Sequence, residues 1–398
     1  MSSRKLAHWA KYAWTLALLG AFSLLSQAQP ATITGEAVAY RHRILDGSFT
    51  TYQVVRLDYQ GLYGLSQNSQ GQFTFNLALE DGPSWQVTLN YHDLRSADYR
   101  EVALTEYGPR VLPRRPNITY RGTADGNSRQ VRFSITPDWC LGMINGPDGT
   151  YFLEPVAQIV EGAPRDLYLL YEANDVLTDP EAHCSFNAVK KYALPDEPGS
   201  KSLLMTCMEV ELATAGDFGM FTRYGSVQAV NDFIITVTNN MEPLYDDFNL
   251  DYLIVDQFVP ASSGADPWTS SDEAFDILNS FSAWAPGNLN THDVGQIWVT
   301  RDIQGCGGGP DNFGLIGCAQ AIGDVCGSQR YNVCEDFSNS ANCLRALSAH
   351  EIGHLFDGVH SQSDGSSIMT PNIQCASTYW TGGNTTRIQN HIDSRSCL

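Results

Sequence analysis

His350-Glu351-Ile352-Gly353-His354 sets two histidines four residues apart, and His360 follows six residues after the second. On a helix, that first spacing brings both imidazoles to one face, close enough to share a metal. The apolar spacing from Leu344 to Phe356 predicts the helix. A straight helix would carry His360 out of reach, so the chain has to turn sharply after His354. Asp357-Gly358 supplies residues that tolerate positive φ for that turn. Three neutral imidazoles leave one tetrahedral position open, as a catalytic zinc site requires. Glu351, adjacent to the first ligand, is then placed to take a proton from water at the metal, which is equipment for hydrolysing an amide.

The N-terminus frames where such chemistry would operate. Arg4, Lys5 and Lys11, an apolar run from Ala13 to Leu25 and then Ser26-Gln27-Ala28 read as a removable signal peptide over residues 1–28. The run falls short of the roughly 20 residues that span a bilayer. A secreted protein with no stable membrane anchor is expected. Secretion permits disulfides, and all ten cysteines follow the leader, two in the first half (Cys140, Cys184) and eight in the second. Spacing does not give their pairing.

Charge separates the halves. The chain carries 24 Lys plus Arg against 44 Asp plus Glu, a formal −20, the wrong sign for a nucleic-acid partner. Residues 192–398 hold 7 basic and 25 acidic side chains, and residues 29–191 hold 14 and 19. Short alternating apolar segments such as Phe73 to Leu79, Trp85 to Leu89 and Val131 to Ile135 predict a mostly β domain over 29–191. A polar stretch with Lys190-Lys191, Pro195 and Pro198-Gly199 reads as an exposed connector, with the activation region at 192–200. In 201–398, strands are expected at Lys201 to Leu212, Tyr252 to Val259, Asp293 to Thr300 and Phe313 to Ile322. Helical spacing marks Gly225 to Asp247 and Asp272 to Trp284, so this half reads as α/β.

Met369, nine residues after His360 in Ser367-Ile368-Met369-Thr370-Pro371, resembles the Met-turn beneath the zinc of metzincins. Together with Glu211-Leu212, His292 to Gln296, Gly314 to Cys318 and the closing Ser396-Cys397-Leu398, it makes the second half resemble the reprolysin (adamalysin, ADAM-type) branch of the metzincin metalloproteases. The resemblance implies an α/β metzincin catalytic domain, a mixed twisted sheet with long helices. It also implies one catalytic Zn2+ and an endopeptidase whose substrate pairs with an edge strand at Gly314 to Ile322. Cys140-Leu141-Gly142 and Tyr151 to Pro155 resemble the propeptide of the same family, which makes residues 29–191 an inhibitory prodomain and the chain a zymogen. The family further suggests a Cys318–Cys397 bridge. Its calcium site, where present, would map in part to Glu211, Asp293 and the Cys397 carbonyl.

Two fates are open to Cys184: a thiolate on the free zinc position, or a disulfide with Cys140. Asp357 stands where the family has glycine. Asn117-Ile118-Thr119 and Asn384-Thr385-Thr386 match the glycosylation sequon, and His391 is expected on the surface of a last helix from Thr385 to Asp393. The reading is a secreted zinc endopeptidase acting on proteins or peptides, with its own prodomain as inhibitor. The alternative is a catalytically inert, metzincin-like secreted binding protein whose turn Asp357 has spoiled; the intact Glu351 argues against it.

Overall fold

The first half of the chain closes a barrel and then reaches out of it. In the computed structural model, residues 29–69, 71–184, 208–306, 314–361 and 365–398 are described. The leader, the connector with Lys190-Lys191, and Cys207 lie outside them.

In chain order the first half contains β1 (Ala31–Ala37), α1 (Arg43–Ser48), β2 (Gln53–Leu57), α2 (Tyr59–Asn68), β3 (Gln72–Leu79) and β4 (Ser84–Tyr91). The arm β5 (Arg95–Thr105) and β6 (Gly108–Val111) follows. Then come β7 (Thr119–Ala124), β8 (Arg129–Ile135), β9 (Cys140–Gly146), β10 (Gly149–Pro155), α3 (Val156–Ile159), β11 (Leu167–Glu172) and the short β12 (His183–Cys184). The barrel order is β1-β2-β11-β10-β9-β8-β7-β4-β3, closed by a parallel β1–β3 pairing. Alternation drives it: Phe73, Phe75, Leu77 and Leu79 of β3 and Trp85, Val87 and Leu89 of β4 all point into one core.

The second half contains β13 (Met208–Gly216), α4 (Phe218–Tyr224), α5 (Val227–Met241), β14 (Leu250–Pro260), α6 (Ala274–Trp284), β15 (Val294–Val299), β16 (Leu315–Ala319), β17 (Tyr331–Glu335), α7 (Ala341–Leu355) and α8 (Gly382–Asp393). The helix expected to run to Asp247 leaves the α-helical path after Met241 and continues as a 3-10 turn over Glu242–Phe248. The break falls at Pro243, which has no N–H to carry the ladder on. Strand β17 was not anticipated; it is fully paired, between β15 and β16.

An eight-stranded sheet runs β12-β16-β17-β15-β13-β14-β5-β6. Both of its outer ends therefore come from the first half, and residues 31–398 form one compact unit. The boundary drawn at 191 separates two sequence patterns; the sheet crosses it. Leu94, Tyr99 and Ile118 pack with Tyr252, Ile352 and Met369, while Val102 and Leu104 pack with Phe258 and Ile277.

The disulfides correct one expectation. Cys318 bonds Cys306, and Cys397 bonds Cys326, so there is no Cys318–Cys397 bridge; a third links Cys343 to Cys375. Cys318 lies in the middle of β16, where its side chain shares a core with Cys306. Among the described residues, no helix is long and apolar enough to cross a membrane. The three disulfides are compatible with an extracellular protein.

Candidate metal centre

The centre is built on α7, whose residues are all buried. Ser340 caps the helix by accepting from the Asn342 N–H, and Glu154 of the first half accepts from the Ala341 N–H at 3.1 Å. His350 and His354 project from one face, as their spacing predicts. Their Nδ1 atoms bond the carbonyl oxygens of Ile368 (2.7 Å) and Gly358 (2.9 Å). A carbonyl only accepts, so each Nδ1 carries the proton and each Nε2 offers a lone pair.

The chain turns as expected after His354. Asp357 adopts φ 72°, and the Gly358 N–H donates to the Gly353 carbonyl at 2.8 Å. Arg387 of α8 holds this conformation, donating from Nη2 to Asp357 Oδ1 at 2.7 Å and from Nε to the Asp357 carbonyl at 2.8 Å. The aspartate thus takes the left-handed conformation with a counter-charge supplied.

His360 closes the group: its Nε2 lies 3.2 Å from Nε2 of His350. The three rings stand 4.8, 4.9 and 5.2 Å apart between centroids. Cys184 joins them, with Sγ 3.5 Å from Nε2 of His354. The sulfur and one nitrogen of each imidazole lie within 4.8 Å of one another. Burial, then the neighbouring His360, pushes His354 down to about 3; burial, then His183, pushes His360 down to about 4. Burial and the other two histidines hold His350 well below its ordinary value. The donor set is therefore three neutral imidazoles and a thiol, which suits Zn2+.

Glu351 lies beside this set, fully buried. Burial pushes its pKa to about 8, partly offset by the Cys184 side chain. Apart from the Cys184 side chain, this buried carboxylate meets no polar partner among the described residues, which fits a site that takes a further ligand. Met369 is buried under α7: a Cβ built on Gly353 would come within 2.9 Å of its sulfur.

Cys184 arrives on β12, which lies parallel on the outer edge of β16, with His183 opposite Leu315 and Cys184 opposite Gly317. On the other side, the Cys184 N–H donates to the Pro371 carbonyl at 2.8 Å, just past Met369. The segment fills the edge where substrate pairing is expected. Cys140 and Cys184 are not bonded to each other: Cys140 is buried in the barrel core, and Cys184 lies at the centre.

Three contributing residues escape a reading of the sequence. Asn384 of α8 brackets His360: its Oδ1 accepts from Val359 N at 2.9 Å, and its Nδ2 donates to Val359 O (2.9 Å) and Ser361 Oγ (3.0 Å). Arg387 follows it at helical spacing on the same face. Gly317 of β16 lies against the base: a Cβ there would sit 2.4 Å from Glu351 Oε1. Asn384 was visible only as a sequon. Its amide is buried and engaged, and Asn117, also buried, donates to Thr119 O at 2.6 Å.

Other candidates fall away from the centre. His391 packs edge-on against Phe356 and accepts from Arg395 Nε at 3.1 Å. Asp293 turns back to accept from the Glu211 N–H at 2.9 Å, and the sulfurs beside it, Cys326 and Cys397, are consumed in a disulfide. Calcium finds no support there.

Among solved structures, metalloproteinase-II from Bacteroides fragilis is similar, at 15% identity and a TM-score of 0.49, over 84% of this chain and 96% of that one. Residues 206–391 match the reprolysin-type model described as metallo-peptidase family M12. That match supports a metzincin-like, M12-type metallopeptidase in the second half of the chain, a class of protease that uses zinc.

Proposed function

We propose that the chain is the precursor of a secreted zinc endopeptidase, on the reprolysin branch of that class. Its first half would be the prodomain and inhibitor. The observation that carries the reading is the convergence of His350, His354, His360 and Cys184 on one point beside Glu351. The three imidazoles would hold the metal, and the Cys184 thiolate would fill the fourth position until the connector is cut and β12 withdraws.

Zinc bound there supplies Lewis acidity, polarising a peptide carbonyl and lowering the pKa of water to about 7. The chain's own residues do the rest. Glu351 takes the proton of the attacking water and passes it to the departing amine nitrogen. Gly317 leaves room for that carboxylate, and the edge of β16 aligns an extended substrate across it. Ile368 O and Gly358 O keep the two helix imidazoles oriented. The Asp357 turn, held by Arg387, is intact, so nothing in its geometry favours an inert protein.

The test is zinc content and cleavage of a denatured protein by the connector-cut chain and its Glu351→Ala variant. One zinc per chain in both, with chelator-sensitive cleavage lost by about a hundredfold or more in the variant, is expected. Zinc in both and cleavage in neither would sink the proposal.

A further inference from the structure

The strand that completes the sheet beyond β14 is borrowed. The β5–β6 arm leaves the barrel between β4 and β7 and lays β5 parallel on β14, with Asp256 opposite Arg100, Phe258 opposite Val102 and Pro260 opposite Leu104. Within the second half alone, β14 is the sheet's edge.

Alternate side chains of β5 fill three sites. The Arg100 fork donates from Nε to Asp256 Oδ1 at 2.7 Å and from Nη2 to Oδ2 at 2.9 Å and to the Asn288 carbonyl at 2.9 Å. Its guanidinium lies 5.6 Å from the centre of the Phe258 ring. Asp256 is fully buried. Val102 and Leu104 enter a core with Phe258, Trp268, Ile277 and Leu278. A guanidinium pocket and two aliphatic pockets therefore lie at every second position along β14, all walled by second-half residues.

Release of the first half would leave this edge with open backbone groups, a carboxylate without its counter-charge, and apolar pockets facing water. Such an edge is costly to leave open: a long apolar edge strand templates pairing, and apolar side chains that were buried meet water. A segment with the same chemistry as the arm restores all three.

We propose that in the mature enzyme the β14 edge is a second recognition site for protein substrates. It takes an extended segment of the pattern Arg-x-aliphatic-x-aliphatic by strand addition, with the arginine on Asp256. This rests on the proposed function, in which the first half is released. In the sheet order, β17, β15 and β13 lie between β16 and β14. At about 4.8 Å per step, β14 is roughly 19 Å from the strand beside the metal centre. A protein spans both places; a short peptide held at the centre does not.

To test it, the zinc-loaded full chain is cut within residues 185–207 and passed over a sizing column. The probe is a synthetic peptide of residues 95–111, with its Arg100→Ala version as control. The probe is expected to bind the freed second half and to slow cleavage of a protein substrate carrying the pattern by about tenfold through KM. Cleavage of a short peptide lacking the pattern should not change. Arg100→Ala in the probe, or Asp256→Asn in the enzyme, should weaken binding by about thirtyfold or more. If the freed half aggregates, the probe should keep it in solution. Failure of the probe to bind while short-peptide cleavage proceeds would overturn the site, and so would a first half that stays on β14 after the cut. Loss of all cleavage with the probe still binding would instead defeat the protease reading and leave the recognition site standing.

Discussion

The sulfur of Cys184 lies 3.5 Å from Nε2 of His354, although 170 positions separate the two residues in the chain. The cysteine is anchored by backbone pairing on two sides, to β16 and to Pro371. Its sulfur is thereby held among three imidazole nitrogens.

Cys184→Ser should therefore make the uncut precursor leaky, because a hydroxyl is a far weaker zinc ligand than a thiolate. Losing even 1.4 kcal/mol from the closed state raises the open population about tenfold. Cleavage of a denatured protein by uncut wild type and uncut variant measures this; equal activity would show that the thiol does not silence the centre.

Gly317→Ala should leave zinc in place and slow turnover. The added carbon would meet Glu351 Oε1 at 2.4 Å and Leu347 Cδ1 at 2.7 Å, so the carboxylate has to move. A displaced base should lower kcat by about a hundredfold or more. Metal analysis beside kcat separates this from loss of the site, and unchanged kcat would remove Gly317 from the machinery.

Asp357 offers a paired comparison. Asp357→Gly relieves the left-handed backbone but deletes the 2.7 Å contact with Arg387, so stability should change by less than about 1 kcal/mol. Asp357→Ala deletes the same contact without that relief, and should be less stable than Asp357→Gly by about 1–2 kcal/mol. Denaturant unfolding of the zinc-loaded chain distinguishes them; equal losses would mean the turn does not depend on φ.

Glu154 predicts a pH dependence. It is buried at the start of α7, bonded by the Tyr171 hydroxyl and the Ala341 N–H, with Ser340 on the other side of Tyr171. Burial pushes its pKa to about 7, against 4.5 when free, with Tyr171 and the Ala341 N–H opposing the shift. The folded state thus favours the protonated carboxyl. Its contribution is complete below about pH 4.5 and is lost as pH rises through about 7. The melting temperature of the full chain should fall between about pH 5 and pH 8 more steeply than that of Glu154→Gln. The difference should correspond to about 1–3 kcal/mol. Parallel slopes would rule this carboxylate out.

Much of the candidate metal centre was legible in the linear chain because its parts are local. His350, Glu351 and His354 share one helix, and the spacing to His360 demands a turn that Asp357 and Gly358 then make. Alternation in β3 and β4 announced a β first half for the same reason: a period of two is written in neighbouring residues. Strand β17 was missed because it is buried on both faces and carries Asn332 inside, which blurs any alternation.

The remaining features depend on which distant segments meet. Cysteine pairing follows from where β16 and α8 come to lie, so Cys318 and Cys397 took other partners. Asn384 read as a sequon because its side chain's role is defined by Val359 and Ser361, some two dozen positions away. Gly317 matters for a carboxylate on another element, and Arg100 for one in the other half of the chain. Local spacing is written in the order of residues, because helix and strand periods are properties of a single segment. Contacts across the fold come into being when burial of several cores brings those segments together at once, and no short stretch of sequence records that outcome.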